Sequence, residues 1–313
     1  MSVVETLQLE TPAPEGAGVF PMVATLFLPE GPPRTLLWCV PGGGANRGYF
    51  DLAGGSTGHS FARRMLAAGH AVIAVDNPGI GESGVPPQAD TFSPRNAGDS
   101  HHHALEALRR VRPDLAALPV IGVGHSMGGM LVTLQQARNR SFAAVALLGS
   151  NASGLEWVLT DEEKALIGNP QALEAALPHL AIARFGGNFL RFSAPDKQLA
   201  AEIFGGADPE VAAALRATGD RMFGAGGVMS MVPGSFAAEA AAIDVPIFFA
   251  FGDRDIGVPP GEVPAAYPAA MDVTISKLLA TGHNHFGFAS IGRLCTRLNQ
   301  WIGAIGVTHG RAA

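Results

Sequence analysis

Cysteine is almost absent: Cys39 and Cys295 are the two in 313 residues. That is too few for a disulfide framework. Cys39 sits inside the apolar run Leu36-Leu37-Trp38-Cys39-Val40, so both thiols are expected reduced and buried as packing groups. Charge is sparse at 15% of residues against 47% hydrophobic, which excludes a disordered chain. A net charge of -6 provides no attraction for nucleic acid or an anionic membrane. No apolar run approaches the roughly 18 residues that a membrane helix requires, so membrane insertion is not expected. The opening residues Met-Ser-Val-Val-Glu-Thr-Leu-Gln-Leu-Glu lack a basic stretch followed by an apolar one, and a cytoplasmic location is expected. Oligomeric state leaves no trace in the sequence.

What is present is an alternation of short apolar runs with helical patterns. Residues 4–10 and 19–28 read as an antiparallel opening hairpin, and 34–40, 71–76, 120–123, 142–148, 246–251 and 273–279 read as strands. Helices are predicted over 56–68, 96–111, 127–138 and 286–302. Such alternation predicts an α/β fold, a mostly parallel sheet with helices on both faces. The pattern breaks between 151 and 243, where short helices over 161–167, 170–177, 194–204 and 209–218 are predicted without strands, and 224–234 reads as a loose stretch. This block is expected to be a helical cap inserted between two parts of one core, 1–150 and 244–313. Its Trp157, Phe185, Phe189, Phe192, Met222, Phe223, Met229 and Met231 either line an apolar pocket or fill the block's own core. Trp157 and Met229 are taken as candidate substrate contacts.

Two motifs fail on context. Gly79-Ile80-Gly81-Glu82-Ser83-Gly84 matches a dinucleotide fingerprint but runs into Val85-Pro86-Pro87, where that fingerprint must open a helix. His101-His102-His103 lies on a predicted helix, where adjacent side chains point about 100° apart and cannot close on one metal. A solvated face is expected there, and neither a metal nor a cofactor is implied.

The sequence Gly124-His125-Ser126-Met127-Gly128 stands between a buried strand and a helix, as a nucleophile elbow must. The bare pattern is weak, since 40 glycines among 313 residues make roughly a quarter of a chance match. Gly54-Gly55-Ser56-Thr57-Gly58 fits equally well, but no apolar strand delivers Ser56, which is assigned to a loop or helix start. A serine nucleophile needs an imidazole to take its proton and a carboxylate to orient that imidazole. At later strand ends stand Asp253 and Asp255, then His283 and His285. Pro41-Gly42-Gly43-Gly44 closes an earlier strand with uncovered backbone N–H groups suited to an anion or oxyanion.

With these motifs together, the chain resembles the α/β-hydrolase superfamily over nearly its full length. The matching stretches are Gly124 to Gly129, Pro41 to Gly44, Asp76 to Ser83, Gly252 to Asp255 and Gly282-His283. The resemblance implies Ser126 as nucleophile, Asp255 as acid and His283 as base, with an oxyanion hole from the N–H groups of Gly43 and Met127. The family's spacing favours Asp255 over Asp253, and the histidine directly after glycine over His285. Gly44, Arg47, Tyr49 and Phe50 beside the oxyanion turn are further candidate substrate contacts. The expected activity is hydrolysis of a small apolar ester or lactone. Carbon–carbon or amide cleavage by the same triad, and a non-catalytic binder on the same scaffold, are the alternatives.

Overall fold

The computed structural model describes residues 2–55, 58–191, 208–257 and 259–306. Ser56, Phe192 and the helix predicted over 194–204 lie outside these residues.

The first two strands, β1 (Val3–Pro12) and β2 (Val19–Leu28), form the predicted antiparallel hairpin. Five short strands follow: β3 (Leu36–Val40), β4 (Ala71–Val75), β5 (Val120–His125), β6 (Ala144–Leu148) and, after a long insertion, β9 (Ile247–Gly252). Every residue in them is buried. With β10 (Val273–Leu278) they complete an eight-stranded sheet of order β1-β2-β4-β3-β5-β6-β9-β10. β2 pairs antiparallel to both β1 and β4, and every other pairing in this sheet is parallel.

Side chains alternate across a strand, and β3 shows how that builds two cores. Leu36, Trp38 and Val40 join a cluster with Leu105, Leu108, Met130 and Leu134 of α2 (Pro94–Val111) and α3 (Met127–Asn139). Leu37 and Cys39 point the other way, to Phe61 and Met65 of α1 (Phe61–Ala67) and Leu294 and Leu298 of the closing helix (Ile291–Ala304). Sequence punctuation sets the helix starts. Ser60 and Ser93 accept the backbone N–H of Arg63 and Asn96, and Pro94 occupies the first turn of α2, where its missing donor costs nothing. Both cysteines are free and buried.

The histidine run departs from the expected solvated face. His101 is fully buried, edge-on to Trp38, with Nε2 at 2.9 Å from Asn77 Oδ1. Burial lowers its pKa to about 3, so it is neutral. Asn77 in turn donates to the Pro41 carbonyl at 3.1 Å, linking α2 to the glycine turn. Only His103 of the three is exposed.

Between β6 and β9 stand α4 (Asp161–Lys164), α5 (Pro170–Phe185), α6 (Pro209–Ala217), α7 (Gly224–Met231) and α8 (Ala237–Ala241). Two short strands, β7 (Leu190–Arg191) and β8 (Arg221–Met222), pair antiparallel there. The loose stretch expected from 224 is instead helix α7, packed against α5 and α3. Its glycines look like breakers in the sequence, but Gly224, Gly226 and Gly227 are sites of close approach: a Cβ on Gly226 would stand 2.8 Å from the Met127 sulfur. Tertiary contact overrides helix propensity here. The same insertion is clasped to the glycine turn, with Asn46 N–H donating to the Thr218 carbonyl (2.9 Å) and Asp220 N–H to the Gly44 carbonyl (2.8 Å). Among the described residues no helix is long and apolar enough to cross a membrane.

Candidate active site

Ser126 caps α3 at φ 54°, ψ -125°, a conformation that L-residues adopt only under strain. The turn closes because its neighbours have no side chains. A Cβ on Gly124 would overlap the backbone of Gly128 and Gly129, and one on Gly128 would overlap the Val40 carbonyl. A Cβ on Gly42 would stand 3.0 Å from that of Ser126. The strand–turn–helix therefore presents Ser126 at the carboxyl end of the sheet, beside the glycine turn.

His283 Nε2 lies 2.8 Å from Ser126 Oγ, and its Nδ1 lies 2.6 Å from Asp255 Oδ1. A carboxylate only accepts, so Nδ1 carries the proton and Nε2 keeps its lone pair for the serine hydroxyl. Asp255 also accepts from Ile256 N–H (2.8 Å) and Gly252 N–H (3.3 Å), and His285 donates Nε2–H to Oδ2 (2.9 Å). Burial acts to raise the Asp255 pKa, but the electrostatic pull and hydrogen bond of His283, then those of His285, hold it far below the usual carboxylate range. Asp253 stands apart from this chain. It is exposed, accepts from Thr281 N–H at 2.9 Å and fixes the loop that leads to His283. His125, behind the pair, donates Nε2–H to the His283 carbonyl at 2.7 Å. Burial first, then His283 and His285, keep its pKa well below normal, so it is neutral.

The structure brings Ser126, Asp255 and His283 into one hydrogen-bonded chain, with Gly43 and Met127 adjacent: a Cβ on Gly43 would lie 3.7 Å from the Met127 sulfur. Gly44, at φ +72°, turns its carbonyl to Asp220. Other sequence candidates stand elsewhere. Arg47 is bonded to Asp76, Glu82 and Thr25. Tyr49 and Phe50 are buried beneath the site, Tyr49 stacked 4.7 Å from Phe286 and tilted 4.7 Å from His125, Phe50 against Phe61. They support the site from below instead of lining it, because the turn after Asn46 directs them inward. Met229 is 1% exposed, in the core with Phe223 and Phe189, whose rings stack at 5.2 Å.

A cavity of about 40 Å³ is lined by Ser126, Met127, Met130, Gly149, Ser150, Asn151, Gly154, Leu155, Ser230, Ile256, Gly257 and His283. It adjoins a vestibule of about 500 Å³ that shares Gly154, Leu155, Ile256 and Gly257 and is bordered by Trp157, Glu156 and Lys164. Trp157 thus stands at the outer rim, 67% exposed. The inner lining is more polar than expected. Sequence reasoning missed Ser150, Asn151, Ile256 and Gly257, although each follows the carboxyl end of a strand, where functional residues collect. Among the described residues no group of three or more histidine, cysteine or acidic side chains is arranged to hold a metal ion.

The model of the alpha/beta hydrolase family matches residues 39–290. The chain belongs to this family. Among curated protein sequences none matches it significantly. Solved structures share the hydrolase's fold at low identity. A carboxyl esterase from Bacillus coagulans aligns at 16% identity and TM-score 0.67, over 96% of this chain and 98% of its own. An esterase from Thermogutta terrifontis aligns at 17% and 0.61, over 97% and 100%. An N-acyl homoserine lactonase, complexed with N-butanoyl homoserine, aligns at 17% and 0.58, over 98% and 99%.

Proposed function

We propose that this hydrolase cleaves a small carboxylic ester or lactone through an acyl-enzyme formed on Ser126. The observation that carries the reading is the continuous hydrogen-bond chain from Ser126 Oγ through His283 to Asp255. His283 Nε2 takes the hydroxyl proton as Oγ attacks the substrate carbonyl carbon, and Asp255 stabilises the imidazolium that forms. The carbonyl oxygen becomes an oxyanion held by the N–H groups of Met127 and Gly43, each donor worth on the order of 10² to 10³ in rate. Collapse expels the alkoxide, which takes the proton from His283. Water activated by the same imidazole then releases the acid and restores Ser126.

The insertion 151–243 serves as the cap, and its clasp to Gly44 and Asn46 holds the turn that carries Gly43. The narrow inner cavity takes the group nearest the carbonyl and the vestibule takes the rest of the substrate. The esterase and lactonase relatives on this scaffold agree with that chemistry. A hydroxyl already paired with a correctly oriented imidazole argues against a non-catalytic binder.

Ser126→Ala tests the reading. Turnover of short acyl esters should fall by about 10⁶, and a fluorophosphonate should label Ser126 in the parent protein. Retained turnover, or labelling at Ser56, refutes the assignment.

A further inference from the structure

Asp255 is shared between two imidazoles, and the acyl-enzyme chemistry uses one of them. His285 has no exposed surface and places Nε2 at 2.9 Å from Oδ2, while His283 Nδ1 holds Oδ1 at 2.6 Å. Since Oδ2 only accepts, His285 Nε2 carries the proton. Its Nδ1 is buried with no hydrogen-bond partner among the described residues. Nε2 is thus the one ring nitrogen engaged by the described residues, and it is committed to Asp255.

We propose that His285 is a positioning residue: it clamps the outer oxygen of Asp255, so that Oδ1 is presented to His283 Nδ1 in one fixed orientation throughout the reaction. This rests on the triad reading of Ser126, Asp255 and His283. Without the clamp, the short bond to Oδ2 is gone and Gly252 N–H at 3.3 Å remains. Oδ1 still accepts from Ile256 N–H at 2.8 Å, so the carboxylate is not released but is held less tightly against rotation about its Cβ–Cγ bond, and the imidazole plane is less firmly fixed. The local fold is built for this geometry. His285 N–H donates to the His283 carbonyl at 2.9 Å, so the two histidines sit on one tight turn and reach the same carboxylate from different sides. The next residue, Phe286, anchors that turn by stacking on Tyr49 and Phe61, and His125 holds the turn from the sheet side through the same His283 carbonyl. The sequence Gly282-His283-Asn284-His285-Phe286 thus supplies a base, a clamp and an anchor in five residues.

A double-mutant cycle on a short acyl ester tests the assignment. His285→Phe fills the ring's volume without a donor and should lower kcat by about 10- to 100-fold, with KM within about twofold. His285→Gln places an amide N–H near the Nε2 position and should recover most of that loss. In an Asp255→Ala background, which lacks the group being clamped, His285→Phe should cost no further activity beyond about twofold. If Phe does not fold, Asn replaces it, because its shorter amide stops at the Nδ1 position and fails to reach Oδ2. Equal losses in both backgrounds, or Gln no better than the donor-less variant, overturn the clamp. Ser126→Ala measured alongside separates the two readings: activity surviving in that variant removes the triad itself, whereas its loss together with an additive cycle removes only the role of His285.

Discussion

Asp76, with no exposed surface, accepts from both the backbone N–H of Arg47 (2.7 Å) and the Arg47 guanidinium. Arg47 is therefore a structural cation that neutralises a buried charge under the glycine turn. Removing it as Arg47→Met strands that charge and should cost about 3 to 5 kcal/mol in urea denaturation. Its other acidic partner, Glu82, is 69% exposed, so Glu82→Gln should change stability by less than about 1 kcal/mol. KM of the folded fraction should be unchanged in Arg47→Met. A large rise in KM at unaltered stability would restore Arg47 as a substrate contact.

Elbow glycines should be intolerant in proportion to the overlap they prevent. Gly128→Ala drives a methyl into the Val40 carbonyl and should destabilise by about 3 kcal/mol or more, or displace Ser126 and slow fluorophosphonate labelling. Gly31, with open space around it and no positive φ, provides the control: Gly31→Ala should lie within about 0.5 kcal/mol of the parent.

Acid should unfold this protein partly through Asp255. Its folded pKa is depressed, so the carboxylate stabilises the fold above its unfolded value near about 3.9, and that contribution fades as pH drops below it. Thermal melts from pH 6 to pH 3 should show Tm falling below about pH 4, and Asp255→Asn should flatten that fall. Parallel curves for the two proteins would exclude Asp255 as the source.

Met222 lies across Gly43, where an added Cβ would meet its terminal methyl at 2.8 Å, and the same methyl closes on Gly227. Met222→Ala should open space beside the proposed oxyanion hole. The ratio of kcat/KM for a hexanoyl over an acetyl ester is then expected to rise about tenfold. An unchanged ratio would show that acyl length is read elsewhere.

The sheet is legible in the sequence because its strands announce themselves: Leu36 to Val40 and Ile247 to Phe251 are apolar throughout, as strands buried on both faces must be. Ser126 is legible through context, since Gly124 and Gly128 are forced by overlaps that leave few alternatives. Asp255 and His283 come from the family's spacing, and the structure adds that the rival His285 binds the same carboxylate. Less is readable where tertiary contact decides. Helix α7 forms across Gly224-Ala225-Gly226-Gly227 because Met127, Met222 and Phe185 crowd that face. His101 turns inward because Asn77 and Trp38 wait there, and Tyr49 because His125 and Phe286 do. Partners distant in sequence leave no local periodicity to read.

The antiparallel clasp between Gly44–Asn46 and Thr218–Asp220 makes two distant stretches of chain one mechanical part. Exchange of the insertion for a relative's, cut at its two junctions with the sheet, would also unfasten the glycine turn. A workable chimera must carry a replacement strand for Ala45, so any new substrate preference has to be grafted together with its own anchor.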